Sequence, residues 1–432
     1  KAGYDVTKEY YVNDHGNQII TLTNSLIYRY EEQFGAHKNE EHPAEFYPGD
    51  YLIDAAKTIA EKYGSQFLKG KTSLVAAEHT ATFRSLAINM MLDLIRADLA
   101  SLGIIFDVFS SEAALVNAGK VQDSFAVLDK LNLTRVGVLP RPMGYDGDED
   151  AEYEEKEQLL FKSTLFGDAS DRVIKKSDGT LTYFASDIAY HYDKFKRGFD
   201  LLIDVWGADH GGYVPRITSA VTEITEKGAE LNVVLCQMVN LLKEGKPFKM
   251  SKRAGNFIMV SDIGELVPLD ILKFYMLSRS PDSQISFDFD EVVNQSEDNL
   301  VYYIQYASAR AVNVEKKYLE VFNAAPSYNT ADYYQNASEQ ERALSREILR
   351  FPEIIVKAAR TFGPQYVVEY LLKLSRTFHA LYTGVGGVRV TFVDKDDRAM
   401  SDKRLTLIQA FRSTIASALT CLGITPANFL SR

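Results

Sequence analysis

The sequence predicts an α/β protein, a doubly wound parallel sheet followed by an all-α helical bundle. Three observations carry this reading. Residues 201–206 (LLIDVW) form a continuous apolar run, as a strand covered on both faces does, and end in the small-residue turn Gly207-Ala208-Asp209-His210-Gly211-Gly212. A helical stretch over 213–227 and a second apolar run over 232–239 (NVVLCQMV) complete a βαβ unit. In such a unit ligands sit beyond the carboxyl ends of the strands, where GADHGG lies. From about residue 300 the pattern changes: segments 297–320, 337–361, 365–383 and 402–422 have helical spacing, with no strand alternation of similar strength.

The remaining elements follow in chain order. Residues 8–13 (KEYYVN) read as a short strand closed by the turn residues Asp14, His15 and Gly16. Residues 38–50 read as a loop, and 82–102 as an amphipathic helix carrying Phe83, Leu86, Met91, Leu94 and Leu99. Residues 143–157 (MGYDGDEDAEYEEKE) form an acidic surface loop. A hairpin-like stretch precedes Lys249-Met250-Ser251-Lys252-Arg253, and Ser261-Asp262-Ile263 opens the next helix, with 269–278 continuing in helical style. Pro326, Gly363-Pro364 and the Gly384–Gly387 break separate the later helices.

At 432 residues, 46% hydrophobic and 25% charged, the chain has room for two or three cores. No apolar run is long enough to span a bilayer, and residues 1–11 (KAGYDVTKEYY) lack the features of a secretory or transit segment, so a cytoplasmic setting is expected. Two cysteines, Cys236 and Cys421, support neither a disulfide framework nor a zinc site. The net charge of −11 is uneven. Residues 301–432 carry 17 Lys and Arg against 12 Asp and Glu, a balance of +5 that leaves −16 on residues 1–300. An acidic body with a basic tail suits a small ligand at one end and RNA at the other.

Several segments could carry chemistry. Lys249 and Lys252 place two ammonium groups on a short turn beside the Ser251 hydroxyl, with Gly255 supplying freedom to move, which is the equipment of a polyphosphate-holding loop. In GADHGG, small residues allow close backbone approach while Asp209 and His210 offer polar groups. That turn and the lysine loop would emerge on one edge of the sheet. In TYFASDIA (182–189), Ser186 or Asp187 is either an ordinary helix cap or, for Asp187, an anion able to accept two parallel bonds from a guanidinium, with Tyr183 lining the same cavity. The seven histidines show no ligand spacing, so no metal site is expected. GxxxxGK[ST], GxSxG and GxGxxG are all absent, which excludes several other enzyme classes.

Four segments together resemble bacterial-type arginyl-tRNA synthetases: YYVNDHGNQ (10–18), TYFASDIAYH (182–191), VWGADHGGYVPR (205–216) and GKPFKMSKRAG (245–255). KMSKR and GADHGG belong to class I synthetases as a group; VNDxGxQ and TYFASDIAYH narrow the likeness to the arginine enzyme. YYIQYASAR (302–310) and LLKLSRTFHALY (371–382) resemble the DALR anticodon-binding domain. The resemblance implies a Rossmann-type catalytic domain over 1–262, a connecting helical segment over 263–300 and an anticodon-binding domain over 301–432. It implies an arginyl-adenylate made from ATP, with Mg2+, and transfer of the arginine to tRNA(Arg) by a monomeric enzyme. By the same resemblance Lys249, Ser251 and Lys252 serve catalysis, and Gly207, Asp209, His210 and Met250 join the two lysines around ATP. Tyr183, Asp187, Asp14 and Gln18 face arginine, and Gln305, Tyr306 and Arg310 face tRNA.

One departure stands out. Class I synthetases carry an HxGH-type signature ahead of the segment matching residues 2–16, and this chain has no HxGH. The expectation is a fragment without the first strand and the N-terminal tRNA-binding domain, with little adenylation activity of its own. Two alternatives share the loop and helical tail: another class I synthetase such as the cysteine enzyme, which needs a zinc-bound thiolate, or a non-catalytic RNA-binding module derived from a synthetase.

Overall fold

The computed structural model describes residues 2–139, 155–248, 260–294, 299–327, 337–384 and 390–426. They fall into two compact units, one built on Thr7–Leu235 and the other on Cys236–Lys249 and Ile258–Arg432 with Lys1–Val6. Lys249, Met250, Ser251 and Lys252, together with most of the acidic loop at 143–157, lie outside the described residues.

In the first unit β1 (Glu9–Val12) leads into α1 (Asn17–Gln33), α2 (Asp50–Tyr63) and α3 (Thr80–Ser101). These helices bury Leu26, Tyr30, Leu52, Ile59 and Phe83 in a core of their own. The expected helix at 82–102 is therefore present. No helix was expected after the turn at 14–16, yet α1 starts there, and its buried Ile19, Thr23, Leu26 and Tyr30 follow helical spacing. The chain then returns through β2 (Val108–Ser111), which pairs in parallel with β1, to α4 (Glu112–Asn117) and α5 (Lys120–Lys130). Strands β3 (Thr134–Gly137), β4 (Gln158–Phe161) and β5 (Arg172–Lys175) form an antiparallel meander.

Next come α6 (Tyr183–Lys196), β6 (Leu201–Gly207), α7 (Val214–Ile224) and β7 (Glu230–Cys236), the predicted strand–helix–strand unit. A 3-10 turn over Ala208–Tyr213 joins β6 to α7. The second core gathers Leu128, Phe161, Ile174, Ile188, Leu202, Ile217, Val221 and Leu231 from the elements around α6. Two details differ from expectation. Helix α7 stops at Ile224 because Glu226 and Lys227 adopt φ of 50° and 62°, which no helix continues through. Along β6 only Leu202 is deeply buried, while Ile203 and Val205 are 45% and 67% exposed, so the run is apolar on both faces but deeply covered on one.

In the second unit β8 (Val239–Lys243) and β9 (Lys246–Pro247) make the hairpin expected ahead of the lysine loop. Its two turn residues, Glu244 (φ 52°) and Gly245 (φ 71°), both take the left-handed conformation that a tight primed turn requires. After α8 (Val260–Leu266) and α9 (Leu269–Leu277), β10 (Ile285–Asp288) pairs in parallel with β8 and continues into α10 (Phe289–Val292). Asp288 Oδ2 accepts from the Gly245 N–H at 2.7 Å and Asp290 Oδ2 from the Glu244 N–H at 2.9 Å, so the hairpin tip is clamped.

The rest is helical: α11 (Leu300–Phe322), α12 (Glu339–Leu349), α13 (Phe351–Arg360), α14 (Gln365–Thr383) and α15 (Arg398–Cys421). Helix α12 opens with a reciprocal capping box between Ser338 and Glu341. The predicted segment 337–361 is two helices, the second carrying Pro352 in its first turn, where a missing N–H costs nothing. Phe378 of α14 stacks on Phe411 of α15, with ring centroids 4.2 Å apart.

Candidate active site

Helix α6 organises the site. Thr182 caps it, its hydroxyl accepting from Ala185 N–H, so the cap lies ahead of Ser186 and Asp187, and Asp187 stands in the second turn. One flank of α6 meets β1: Tyr11 packs edge-on against Tyr190 at 4.9 Å, and Glu9 pairs with Arg197 at 2.8 Å. Another flank meets β6, where the two ring nitrogens of His191 face Asp187 O and Asp204 Oδ2, each at 2.7 Å. Lys194 reaches Asp204 as well, at 3.2 Å. Burial opposes ionisation of Asp204, but the bond and charge of His191, together with Lys194, prevail and bring the carboxyl down to about 2.

Asp187 sits differently. Its Oδ2 accepts from the Tyr213 hydroxyl at 2.7 Å, and no basic side chain forms an ion pair with it among the described residues. Burial is the main cause that pushes this carboxyl upward; the Glu112 and Asp204 charges add to it, while the Tyr213 bond and His191 only partly offset it. Tyr183, at the start of α6, is exposed and brings its hydroxyl close to the turn after β1: a Cβ built on Gly16, at φ 92°, would lie 3.7 Å from it. The turn after β1 and the start of α6 thus lie side by side.

Asp14 lies in that turn, with both carboxylate oxygens engaged. Oδ2 accepts from the Ser111 hydroxyl at 2.5 Å and Oδ1 from the Ala113 N–H at 2.8 Å. Ser111 in turn caps α4, accepting from Ala114 N–H at 2.9 Å, and Arg84 of α3 donates to the Asp14 carbonyl at 3.1 Å. Gln18 is exposed in the first turn of α1. Glu112, the first residue of α4, is only 4% exposed and accepts a hydrogen bond from the Tyr11 phenol. Burial pushes that phenol well above its usual range, reinforced by the charges of Glu112, Asp187 and Asp14, so Tyr11 stays a donor.

At the end of β6 the Asp209 carboxylate folds over Gly207, where a Cβ would meet Asp209 Oδ1 at 2.5 Å. A side chain here would displace the flexible, solvent-open Asp209 carboxylate. His210 lies 3.7 Å from Asp209 Oδ2, and both side chains are open to solvent. Trp206 packs beside His210 and Tyr213, with centroids 6.2 and 5.7 Å away. The described structure thus brings Asp14, Tyr183 and Asp187 together and sets Gly207, Asp209 and His210 at the adjoining strand end.

In the second unit Gln305 is buried and donates to Thr425 O at 3.1 Å. The Arg310 guanidinium lies over the Tyr306 ring at 4.1 Å and the Tyr382 ring at 4.8 Å, and its Nη1 approaches His379 Nδ1 at 3.1 Å. Tyr306 is 42% exposed, so an aromatic face backed by a cation is open to solvent.

Comparison with known proteins now decides the family. The chain is 41% identical over 429 residues to the arginine–tRNA ligase of Ruegeria pomeroyi, covering 99% of this chain and 72% of that protein. The arginine–tRNA ligase of Rhodospirillum rubrum is 42% identical over 438 residues, covering 99% and 73%. This chain belongs to the arginine–tRNA ligase family.

Residues 304–430 match the DALR anticodon binding domain and 207–325 match the family described as tRNA synthetases class I (K). Among solved structures, the putative arginyl-tRNA synthetase of Campylobacter jejuni aligns over 99% of this chain and 86% of its own, with a TM-score of 0.79 and 31% identity. The Thermus thermophilus arginyl-tRNA synthetase aligns over 99% and 76%, with a TM-score of 0.68 and 19% identity, and supports the fold alone. The class I synthetase fold with its helical DALR domain is therefore the fold of this arginine–tRNA ligase family member.

Tyr11, Ser111, Glu112 and Tyr213 were not among the residues the sequence singled out. Tyr213 could have been found, because it directly follows GADHGG. Glu112 carries no local signal, since its neighbour Tyr11 lies far away in sequence, on β1.

Proposed function

We propose that this chain ligates L-arginine to tRNA(Arg) through an arginyl-adenylate formed from ATP, as its family membership supports. The observation that carries the arginine assignment is Asp187: a carboxylate with a phenol partner and no ion pair among the described residues, four residues along α6 from Tyr183, where we place the arginine recess. A guanidinium supplies the missing charge in a planar fork that a carboxylate can meet with two bonds. In this reading Asp14 and Gln18 frame the recess, and Gly207, Asp209 and His210 lie along adenosine. Lys249, Ser251 and Lys252 hold the departing pyrophosphate, with Met250 seated among them.

The first step forms a bond between the arginine carboxylate oxygen and the α-phosphorus of ATP and breaks the bond to pyrophosphate. In the second, the terminal ribose hydroxyl of the tRNA attacks the adenylate carbonyl, and AMP leaves. Positioning and charge stabilisation are the protein's main contributions to the first step. Mg2+ accompanying ATP would add charge neutralisation on the phosphates to that of Lys249 and Lys252. Gln305, Tyr306 and Arg310 serve the tRNA, in a domain spanning 301–432 that follows a catalytic domain over 1–262 and a connector over 263–300. The enzyme works as a monomer in the cytoplasm.

No observation favours the cysteine enzyme or a purely RNA-binding role over this reading. ATP–pyrophosphate exchange with single amino acids, with and without tRNA, tests this reading. Arginine-specific exchange that Lys249→Ala and Lys252→Ala each abolish supports the assignment. Exchange driven equally by another amino acid would overturn it.

A further inference from the structure

His191 is a buried histidine, 2% exposed, that the mechanism above leaves unused. Its ring nitrogens face two groups that can only accept: Nδ1 meets the Asp187 carbonyl and Nε2 meets Asp204 Oδ2, each at 2.7 Å. Asp204 is ionised, its carboxyl held down to about 2, so the ring has to donate from both nitrogens to serve both partners. Bonded at its two ends, the imidazole is fixed in orientation and strongly held.

The two ends belong to different elements. Asp187 lies in the second turn of α6, and Asp204 lies in β6, three residues ahead of Gly207. Lys194, about one turn further along α6, donates to the other oxygen of Asp204 at 3.2 Å, so helix and strand are joined twice. Tyr213, in the turn after β6, donates to Asp187 Oδ2 at 2.7 Å. Asp187 is therefore tied to β6 and its turn through main chain and side chain alike. A strand rises about 3.3 Å per residue, so a displacement at Asp204 is carried about 10 Å to the strand end at Gly207.

We propose that His191 is a positioning residue for adenylation: it holds the arginine-facing part of α6 in register with the ATP-facing end of β6, so that the arginine carboxylate meets the α-phosphorus. The proposal rests on the assignment of Asp187 to arginine and of Gly207, Asp209 and His210 to ATP. Enclosed by protein, His191 acts through Asp187 and Asp204. Register matters more for joining two ligands than for holding either one, since a misplacement of about 1 Å can cost roughly 100-fold in rate while each subsite stays intact.

The test is calorimetric binding of three ligands to the wild-type chain, His191→Gln and Asp187→Asn, with thermal midpoints recorded. The ligands are arginine, ATP and an inert sulfamoyl analogue of arginyl-adenylate, which spans both subsites. His191→Gln keeps a donor but loses the rigid two-ended span. In that variant arginine and ATP should each bind within about threefold of wild type, while the analogue should bind about 10- to 100-fold more weakly. An analogue weakened by no more than the arginine and ATP losses combined, whatever the midpoint does, marks a merely structural His191 and would overturn the proposal. A wild-type chain that binds the analogue no tighter than arginine has no register to lose, and would overturn it as well. Unimpaired arginine binding in Asp187→Asn would instead overturn the assignment beneath. Should His191→Gln fail to fold, Asp204→Asn loosens the other end of the same tie, and an analogue loss no larger than the two single-ligand losses combined would be equally fatal.

Discussion

The Tyr213 hydroxyl donates to Asp187 Oδ2 at 2.7 Å, linking the turn after β6 to the second turn of α6. That bond orients a carboxylate without neutralising it. Removing the charge by Asp187→Asn should therefore weaken arginine binding by about 2–5 kcal/mol, whereas Tyr213→Phe should cost only about 1 kcal/mol. Calorimetric titration of both variants checks the order.

Arginine affinity should also depend on pH. Burial first, then the Glu112 and Asp204 charges, raise Asp187 in the free protein, while Tyr213 and His191 pull the other way; the neighbouring Tyr11 phenol feels the Asp187 and Asp14 charges alike. Guanidinium binding favours the ionised form, so arginine should bind more weakly as pH falls through the raised value of Asp187 and should release protons on binding in that range. Titrations across buffers of different ionisation enthalpy measure the release, and Asp187→Asn should flatten it.

Asp204 predicts a second pH dependence, in stability rather than binding and at lower pH. Its carboxyl lies at about 2 in the folded protein against an ordinary 3.8, so its contribution is fully present above 3.8 and is lost as pH falls through 2. The gap corresponds to about 2 kcal/mol. Asp204→Asn, which removes the charge that His191 and Lys194 share and one of their two acceptor oxygens, should destabilise by about 3 kcal/mol near neutral pH and should remove part of the acid sensitivity. Urea unfolding at several pH values would reveal both.

In the helical domain the exposed Tyr306 face should carry a stacked base, with Arg310 behind it. Tyr306→Ala should weaken tRNA binding by about 1–3 kcal/mol, while Gln305→Ala, which loses the bond to Thr425 O, should lower the thermal midpoint with a smaller effect on tRNA. Filter binding and thermal melts separate the two. Binding of the Tyr306→Ala variant with wild-type affinity would remove that residue from the interface.

Much of this was legible in the chain, for identifiable reasons. The βαβ unit announced itself because apolar runs, small turn residues and helical spacing all lie within 201–239, so each signal is local. The β8–β9 hairpin was legible likewise. What sequence concealed depends on contacts between distant segments. Asp14 enters as an arginine-facing residue through the family resemblance, and only the fold shows that Ser111 and Ala113 also bond its two oxygens. Glu112 reads as an ordinary acidic helix start until Tyr11 is seen beside it. Boundaries shifted where backbone conformation intervened, as at Glu226 and Lys227.

The tie from Asp14 to the head of α4 has a practical corollary for anyone reprogramming this enzyme to accept an unnatural amino acid. Randomising position 14 would unseat a joint at the head of α4, and selected clones would be dominated by misfolded scaffolds. Libraries that hold Asp14 and Ser111 constant while varying Tyr183 and Asp187 would explore new side chains on an intact frame.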